Sequence, residues 1–354
     1  MVRSDKPRRC TLQDIALRTG FTVNTVSRAL KDKPDISKAT REMIQQVAGE
    51  MGYIRNQMAS SLRSGRTKTL GVIVGGMSNP YYGVMTDAIQ NVAAERGYSL
   101  LIFCSRDNPE LELQVVESAI SRQVDGILLF PSYGSERTIE RIRAAGIPYV
   151  LMARCLASQE DDCVVCDDEE GAYLATKHLI DAGHKRIGYL SSFDVVYSTE
   201  LRTKGFYRAL EESGLPRENG LLACCSGIEE TRAQLRLWQT IGVTGLFVFC
   251  DVEAWRAVSL LQAQGVVIPR EMAIVGFDNI QGILPIPSPL CSVEYNIPEM
   301  AAAGIDLLRS RIHGEELPPQ RICCGTRIVC RGSCGTAHIP AAEDSVPDIY
   351  TYCR

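Results

Sequence analysis

Three groups of side chains in this 354-residue sequence have types and spacing suited to recognition chemistry. The first is Thr22-Val-Asn-Thr-Val-Ser-Arg28. Arg28 suits bidentate contact with guanine O6 and N7, Asn24 suits adenine N6 and N7, and Val23 can meet a thymine methyl. Thr22, Thr25 and Ser27 are placed for phosphate contacts, which set register rather than sequence, and Thr11, one helix earlier, is a further candidate DNA contact. Helix capping or simple surface polarity accounts for Thr25 and Ser27 equally well. The second group is Leu62 with Ala59 and Arg63, in the basic stretch 54–68. Leu62 lacks an apolar partner in its own segment. Either it packs on a neighbouring domain, or it is a wedge that unstacks a base step from the minor groove. The third group is scattered: Tyr81, Tyr82, Ser132, Arg154, Arg202 and Asp278 all follow expected strand ends. Rings for stacking beside charged hydrogen-bonding groups would suit a small polar ligand.

The elements that must hold these groups follow from periodicity. Thr11 caps a helix with Leu12, Ile15 and Ala16 inward, and Gly20 ends it. Thr22 caps a second helix with Val26, Ala29 and Leu30 inward. Two short helices joined by a Gly-containing turn make a helix-turn-helix, whose second helix enters the major groove. A third helix opens at Ser37 or Lys38 and buries Ile44, Val47, Ala48 and Met51. From Thr69 onward strands and helices alternate. Nine strands are expected, from Leu70–Val74 to Ala273–Phe277, separated by helices such as Val84–Arg96 and Leu201–Ser213. That pattern means parallel sheets covered on both faces. About 265 residues exceed one such sheet, so two sub-domains are expected, with ligands at strand carboxyl ends.

Charge supports this division. The whole chain carries −4, yet residues 1–68 hold 14 Lys and Arg against 6 Asp and Glu, while the rest holds 24 against 36. A basic head on an acidic body is the footprint of a nucleic-acid-binding module attached to something else. No apolar run approaches the ~18 residues of a membrane span, and no apolar h-region follows Arg3, Lys6, Arg8 and Arg9, so a cytoplasmic chain is expected. In that compartment the fourteen cysteines are expected as buried thiols. The pairs Cys163/Cys166, Cys323/Cys324 and Cys330/Cys334 have metal-like spacing. Cys163-Val-Val-Cys166 lacks a second Cys or His pair at zinc-finger distance, so neither metal nor cofactor is expected.

The motifs carry a resemblance. Thr11-Leu-Gln-Asp-Ile-Ala, Thr25-Val-Ser-Arg-Ala-Leu, Gly52-Tyr, Ser61-Leu62 and Gly65-Arg-Thr-Lys-Thr resemble the head and hinge of the lactose-repressor (LacI/GalR) family. Ser78-Asn-Pro-Tyr-Tyr, Val124-Asp-Gly-Ile, Ala182-Gly-His, Arg202-Thr-Lys-Gly-Phe and Val275-Gly-Phe-Asp-Asn extend the likeness collinearly over roughly residues 10–334. The resemblance implies a small all-α helix-turn-helix head on an α/β core of two Rossmann-like, periplasmic-binding-protein-like sub-domains. The division is then head 1–54, hinge 55–68 and core 69–335, while the tail 336–354, with Pro, Asp and Ser and no heptad, is expected to be flexible on composition. The resemblance also implies a homodimeric transcriptional regulator, commonly a repressor, on a pseudo-palindromic double-stranded operator, and a sugar-like effector between the sub-domains. Val23 and Asn24 fall on the family's specificity pair, Arg28 on its common base contact, and Leu62 on the wedge that its hinge helices insert in pairs. Tyr81, Tyr82, Ser132, Arg154, Arg202 and Asp278 are the candidate effector residues. Two departures weaken hydroxyl recognition: Ala153 stands where many sugar-sensing relatives have Asp, and Cys250 where many have Asn.

Enzyme catalysis is the rival on this architecture. Gly71-Val-Ile-Val-Gly-Gly lacks the G-x-G-x-x-G spacing, no G-x-S-x-G elbow occurs, and the four histidines suggest no triad. A secreted solute-binding protein would fit the core but not the basic head.

Overall fold

The computed structural model describes residues 10–54, 65–156, 160–192, 197–283, 289–315 and 317–335. It divides into a head ending at Thr67 and a core beginning at Lys68. The hinge residues Ala59, Leu62 and Arg63 and the tail 336–354 lie outside the described residues.

The head holds α1 (Leu12–Thr19), α2 (Val23–Ala29) and α3 (Lys38–Glu50). Thr11 and Asp14 form a reciprocal capping box at the start of α1, and Gly20 ends it at φ 74°. Ile15, Ala16, Val26, Ala29, Ile44 and Ala48 make its buried core, the stripe expected from 3/4 spacing. Ile15, Val26 and Ile44 are fully buried. Each contributes about 1.5–3 kcal/mol of burial to a three-helix unit with little else to hold it.

The core has two six-stranded sheets. The first contains β1 (Thr69–Val74), β2 (Ser99–Cys104), β3 (Gly126–Leu129), β4 (Tyr149–Met152), β5 (Cys163–Cys166) and β11 (Arg321–Cys324). Their order is β11-β5-β4-β3-β1-β2, parallel throughout. The second contains β6 (Ile187–Ser191), β7 (Gly220–Cys224), β8 (Gly245–Val248), β9 (Ala273–Phe277), β10 (Cys291–Tyr295) and β12 (Thr326–Val329). Its order is β12-β10-β9-β8-β6-β7, and only β12 runs antiparallel, against β10. Helices α4 (Pro80–Glu95), α5 (Pro109–Ser121), α6 (Glu136–Ala144) and α11 (Ile297–Ile312) accompany the first sheet. Helices α7 (Asp168–Asp181), α8 (Tyr197–Glu212), α9 (Ile228–Thr240) and α10 (Asp251–Ala263) accompany the second.

The chain crosses between the sub-domains three times: after β5, after β10 and between β11 and β12. These crossings place the carboxyl ends of β1, β3, β4, β8 and β9 around one crevice. All nine expected strands are present. Strands β10, β11 and β12 escape the sequence reading. The last two are four-residue edge strands, half-exposed, and they become strands by pairing with elements more than 30 residues away.

One cysteine expectation is corrected. Cys155 and Cys163 are joined as a disulfide, eight residues apart. β5 brings Cys163 alongside the chain that leaves β4, within reach of Cys155.

Candidate functional site

Helix α2 presents one polar face. Val23 is 40% exposed, Asn24 and Arg28 are also exposed, and the opposite side buries Val26 and Ala29. The hydroxyl-bearing residues are partly committed to local structure. The Thr22 hydroxyl accepts from the Thr25 backbone N–H at 3.1 Å and meets the Thr25 hydroxyl at 2.9 Å. Thr11 donates its hydroxyl to Asp14 at 2.7 Å. Capping therefore occupies Thr11 and Thr22. Ser27 is half-buried. Arg28 is held by Asp35, with Nε 2.7 Å from Oδ2, and this pairing strengthens its charge.

In the core, a cavity of about 460 Å³ opens between the two sheets. Tyr81 and Tyr82 enter it from the first turn of α4, which is capped by Asn79 and begins with Pro80. Both rings are nearly buried and meet edge-to-face at 5.3 Å, and Tyr82 meets Phe130 in the same way at 5.6 Å. Burial and the nearby Asp278 raise the Tyr81 hydroxyl well above its ordinary pKa. At the end of β1, Gly75 leaves room for two side-chain tips. A Cβ on Gly75 would collide with the Tyr82 hydroxyl and lie 2.6 Å from the Asp107 carboxylate.

Arg202 comes from the second turn of α8. Its guanidinium lies 3.6 Å from the Phe277 ring centre and 4.3 Å from that of Phe249. Nε donates to Asp168 at 2.8 Å, and the Phe249 carbonyl accepts from another of its nitrogens. Burial works against its charge, but Asp168 and Asp278 outweigh that and raise its pKa.

Asp278 directly follows β9 in a left-handed conformation, φ 97°, and Asn279 comes next at φ 47°. Two such residues in succession need external support. The Ser292 hydroxyl accepts from the Asn279 N–H at 3.0 Å, and the Asp251 carboxylate accepts from the Ile280 N–H at 2.8 Å. Burial raises the Asp278 carboxyl to about 8, against the opposing pull of Arg202. Tyr295 donates to it at 3.3 Å.

Arg154 lines the same cavity and donates to Asp107 and to the Pro131 carbonyl, both at 3.1 Å. Ser132 does not line it. Its backbone N–H donates to the buried Glu112 carboxylate at 2.6 Å, so Ser132 belongs to a hydrogen-bonded cluster behind β3. Ala153 and Cys250 do line the cavity.

Two family models match the chain: the lacI family of bacterial regulatory proteins over residues 11–56, and the periplasmic-binding-protein-like domain over 176–334. The GalR transcriptional regulator of Escherichia coli K12 is 30% identical over 342 residues, covering 96% of this chain and 99% of GalR. The chain belongs to the LacI family. It is therefore a DNA-binding transcriptional regulator. Among solved structures, the CelR–cellobiose complex is 26% identical with a TM-score of 0.67, covering 92% of this chain and all of CelR. The Lac repressor dimer bound to operator is 21% identical with a TM-score of 0.79, over 92% of this chain and 99% of that one. That likeness shows the fold of this LacI-family regulator. No helix among the described residues is long and apolar enough to cross a membrane.

The LacI-family core thus gathers five of the six expected cleft residues: Tyr81, Tyr82, Arg154, Arg202 and Asp278. The sequence reading misses Asp107, Asp168, Phe249 and the pair Glu253–Arg256, joined at 2.6 Å. Of these, Glu253 and Arg256 had an available signal, being one turn apart on a helix that opens beside the cleft. Asp168 also follows a strand end, β5, but its pairing with Arg202 comes only from the packing of α7 on α8.

Proposed function

We propose that this LacI-family chain is a homodimeric repressor, without catalytic activity, whose affinity for a pseudo-palindromic operator is set by a neutral sugar in the core cleft. Val23, Asn24 and Arg28 read base edges, with Thr22, Thr25 and Ser27 on the backbone and Leu62, Ala59 and Arg63 acting from the hinge. In the cleft, Tyr81 and Tyr82 present ring faces and edges to the sugar, while Arg202 and Asp278 address its hydroxyls.

One observation carries the choice of a neutral ligand: the charges in the cleft are already matched. Arg154 is bound to Asp107, Arg202 to Asp168 and Arg256 to Glu253, and the remaining carboxyl, Asp278, is driven toward its neutral form. An anionic sugar would have to displace one of these carboxylates, whereas a polyol exchanges hydrogen bonds without adding charge. The cellobiose complex of CelR supports the class. A second reading is favoured by Ala153 and Cys250, which remove two hydrogen-bonding side chains from the wall: a regulator that no longer binds sugar.

The test is site selection with the purified full chain, followed by a thermal-shift screen of neutral sugars, sugar acids and sugar phosphates. A neutral sugar that raises the melting temperature and changes operator affinity supports the proposal, as does its loss in Asp278→Asn. A response confined to acids or phosphates overturns the neutral assignment. Silence across the screen with operator binding intact selects the second reading.

A further inference from the structure

Outside the cleft, four metal-binding side chains converge at the far end of α7. His178 lies in the last turn of that helix, Cys291 opens β10, Cys330 directly follows β12, and Cys334 ends the turn after it. Their ligand atoms all lie within 4.8 Å of one another. His178 Nε2 is 3.0 Å from Cys334 Sγ, Cys334 Sγ is 3.3 Å from Cys330 Sγ, and Cys330 Sγ is 3.7 Å from Cys291 Sγ. A tetrahedral zinc ion with Zn–S of about 2.3 Å and Zn–N of about 2.0–2.1 Å spaces its ligands by roughly 3.5–3.8 Å.

The surroundings are built to hold this geometry. In Cys330-Arg-Gly-Ser-Cys334, Gly332 takes φ 107°, a conformation that favours glycine. The Ser333 hydroxyl donates to the Ile274 carbonyl at 2.5 Å and accepts the Cys291 N–H at 2.7 Å, pinning the turn to β9 and β10. The Ile274 N–H also donates to the Ser333 carbonyl at 2.7 Å. The Arg331 N–H donates to Cys291 Sγ at 3.2 Å, the outer-shell bond that supports a thiolate ligand. Cys291 and Cys334 are buried, while His178 and Cys330 are half-buried, so an ion has a route in.

We propose that His178, Cys291, Cys330 and Cys334 form a structural zinc site. Three thiolates and an imidazole select a soft or borderline cation such as Zn²⁺ over Mg²⁺ or Ca²⁺. Four protein ligands close the tetrahedron, which is the arrangement of a structural rather than a catalytic centre. Binding displaces the proton of each cysteine present as a thiol. The ion fastens the last described strand, β12, to α7, the helix whose first turn holds Asp168 against Arg202 in the cleft. Ten residues of helix, roughly 15 Å, separate the two sites.

The experiment uses the untagged full chain, purified under reductant without chelator, with elemental analysis by plasma mass spectrometry. One zinc per chain is expected. It should fall to background in Cys330→Ser and Cys334→Ser, and persist in Cys224→Ser and Cys323→Ser, which alter exposed cysteines elsewhere. Should the site variants fail to fold, wild type stripped by chelator and titrated with Co²⁺ alone should show thiolate-to-metal charge transfer and tetrahedral d–d bands, with a rise in melting temperature. The proposal is overturned by zinc that is equal in the Cys330→Ser variant and wild type, which would be adventitious metal only. It is also overturned by Co²⁺ binding without thiolate bands, or by a Cys330–Cys334 disulfide in the reduced preparation.

Discussion

Arg202 and Asp168 form a buried ion pair that ties α8 to the first turn of α7, Nε to Oδ1 at 2.8 Å, with neither side chain more than 6% exposed. Removing one member of such a pair leaves an uncompensated charge inside the protein. Asp168→Ala is expected to cost about 3–5 kcal/mol of stability, measured by urea unfolding. Replacing both residues with apolar side chains of similar volume should cost less than Asp168→Ala alone. A single substitution that leaves the unfolding midpoint unchanged would mean the pair is not formed.

The same two helices pack too closely for a methyl group at Gly205. A Cβ there would overlap the Glu169 carbonyl oxygen and approach the Tyr173 nitrogen to 2.9 Å, and both are backbone atoms that cannot rotate away. Gly205→Ala is therefore expected to separate α7 from α8 and destabilise the core by about 1–3 kcal/mol or more. It should also weaken the effector response, because Arg202 lies one turn away. An unchanged melting temperature would refute the close packing.

Stability should decline as pH rises through the neutral range. Burial lifts Asp278 to about 8 and Asp251 to about 7. An aspartate in the unfolded chain titrates near 3.9, so between that value and the folded pKa the native state holds the extra proton. Each such group lowers stability on the order of 1 kcal/mol per pH unit as pH rises through this window, and no further above its folded pKa. Asp278→Asn should flatten the pH 5–9 stability curve relative to wild type, while keeping a residue type that tolerates the left-handed backbone. Parallel curves for the two proteins would show that Asp278 titrates normally.

Arg28 is expected to be shared between Asp35 and DNA. Arg28→Ala should weaken the cognate site roughly five- to hundredfold and relax one base position. Asp35→Ala should preserve the consensus, because it frees the guanidinium rather than removing it. Site selection with both variants decides the matter: the same consensus from Arg28→Ala, or a changed one from Asp35→Ala, would misplace the reading residue.

The head is legible in the sequence because its information is local. Caps at Thr11 and Thr22, the turn at Gly20 and the stripe Ile15, Ala16, Val26, Ala29 all act within a few residues of sequence. Fold class and family were equally legible, since strand–helix alternation and an ordered series of motifs survive without contacts. The carboxyl-end rule also placed Tyr81, Tyr82, Arg154 and Asp278 on one crevice, and the family motif added Arg202 from α8, but the rule admitted Ser132, whose N–H turns back to Glu112. Direction at a strand end depends on which neighbour satisfies the backbone, and spacing does not encode that.

What the sequence determined by itself, then, is the element order as far as β9, the capped helix pair with the polar face of α2, and the neighbourhood of the cleft. Tertiary structure alone decided the partners of charges and thiols. Asp168 meets Arg202 from 34 residues away, Asp107 meets Arg154 from 47, and His178 meets Cys334 from 156. Cys330 and Cys334 gave half of a metal-like spacing, and the missing ligands arrived from a helix and a strand that only the packed second sheet brings together. Such pairings come from long-range chain closure, whose entropy cost is met by the apolar cores of the two sheets and not by the polar residues themselves. The polar residues therefore leave no periodic mark in the sequence by which their partners could be read.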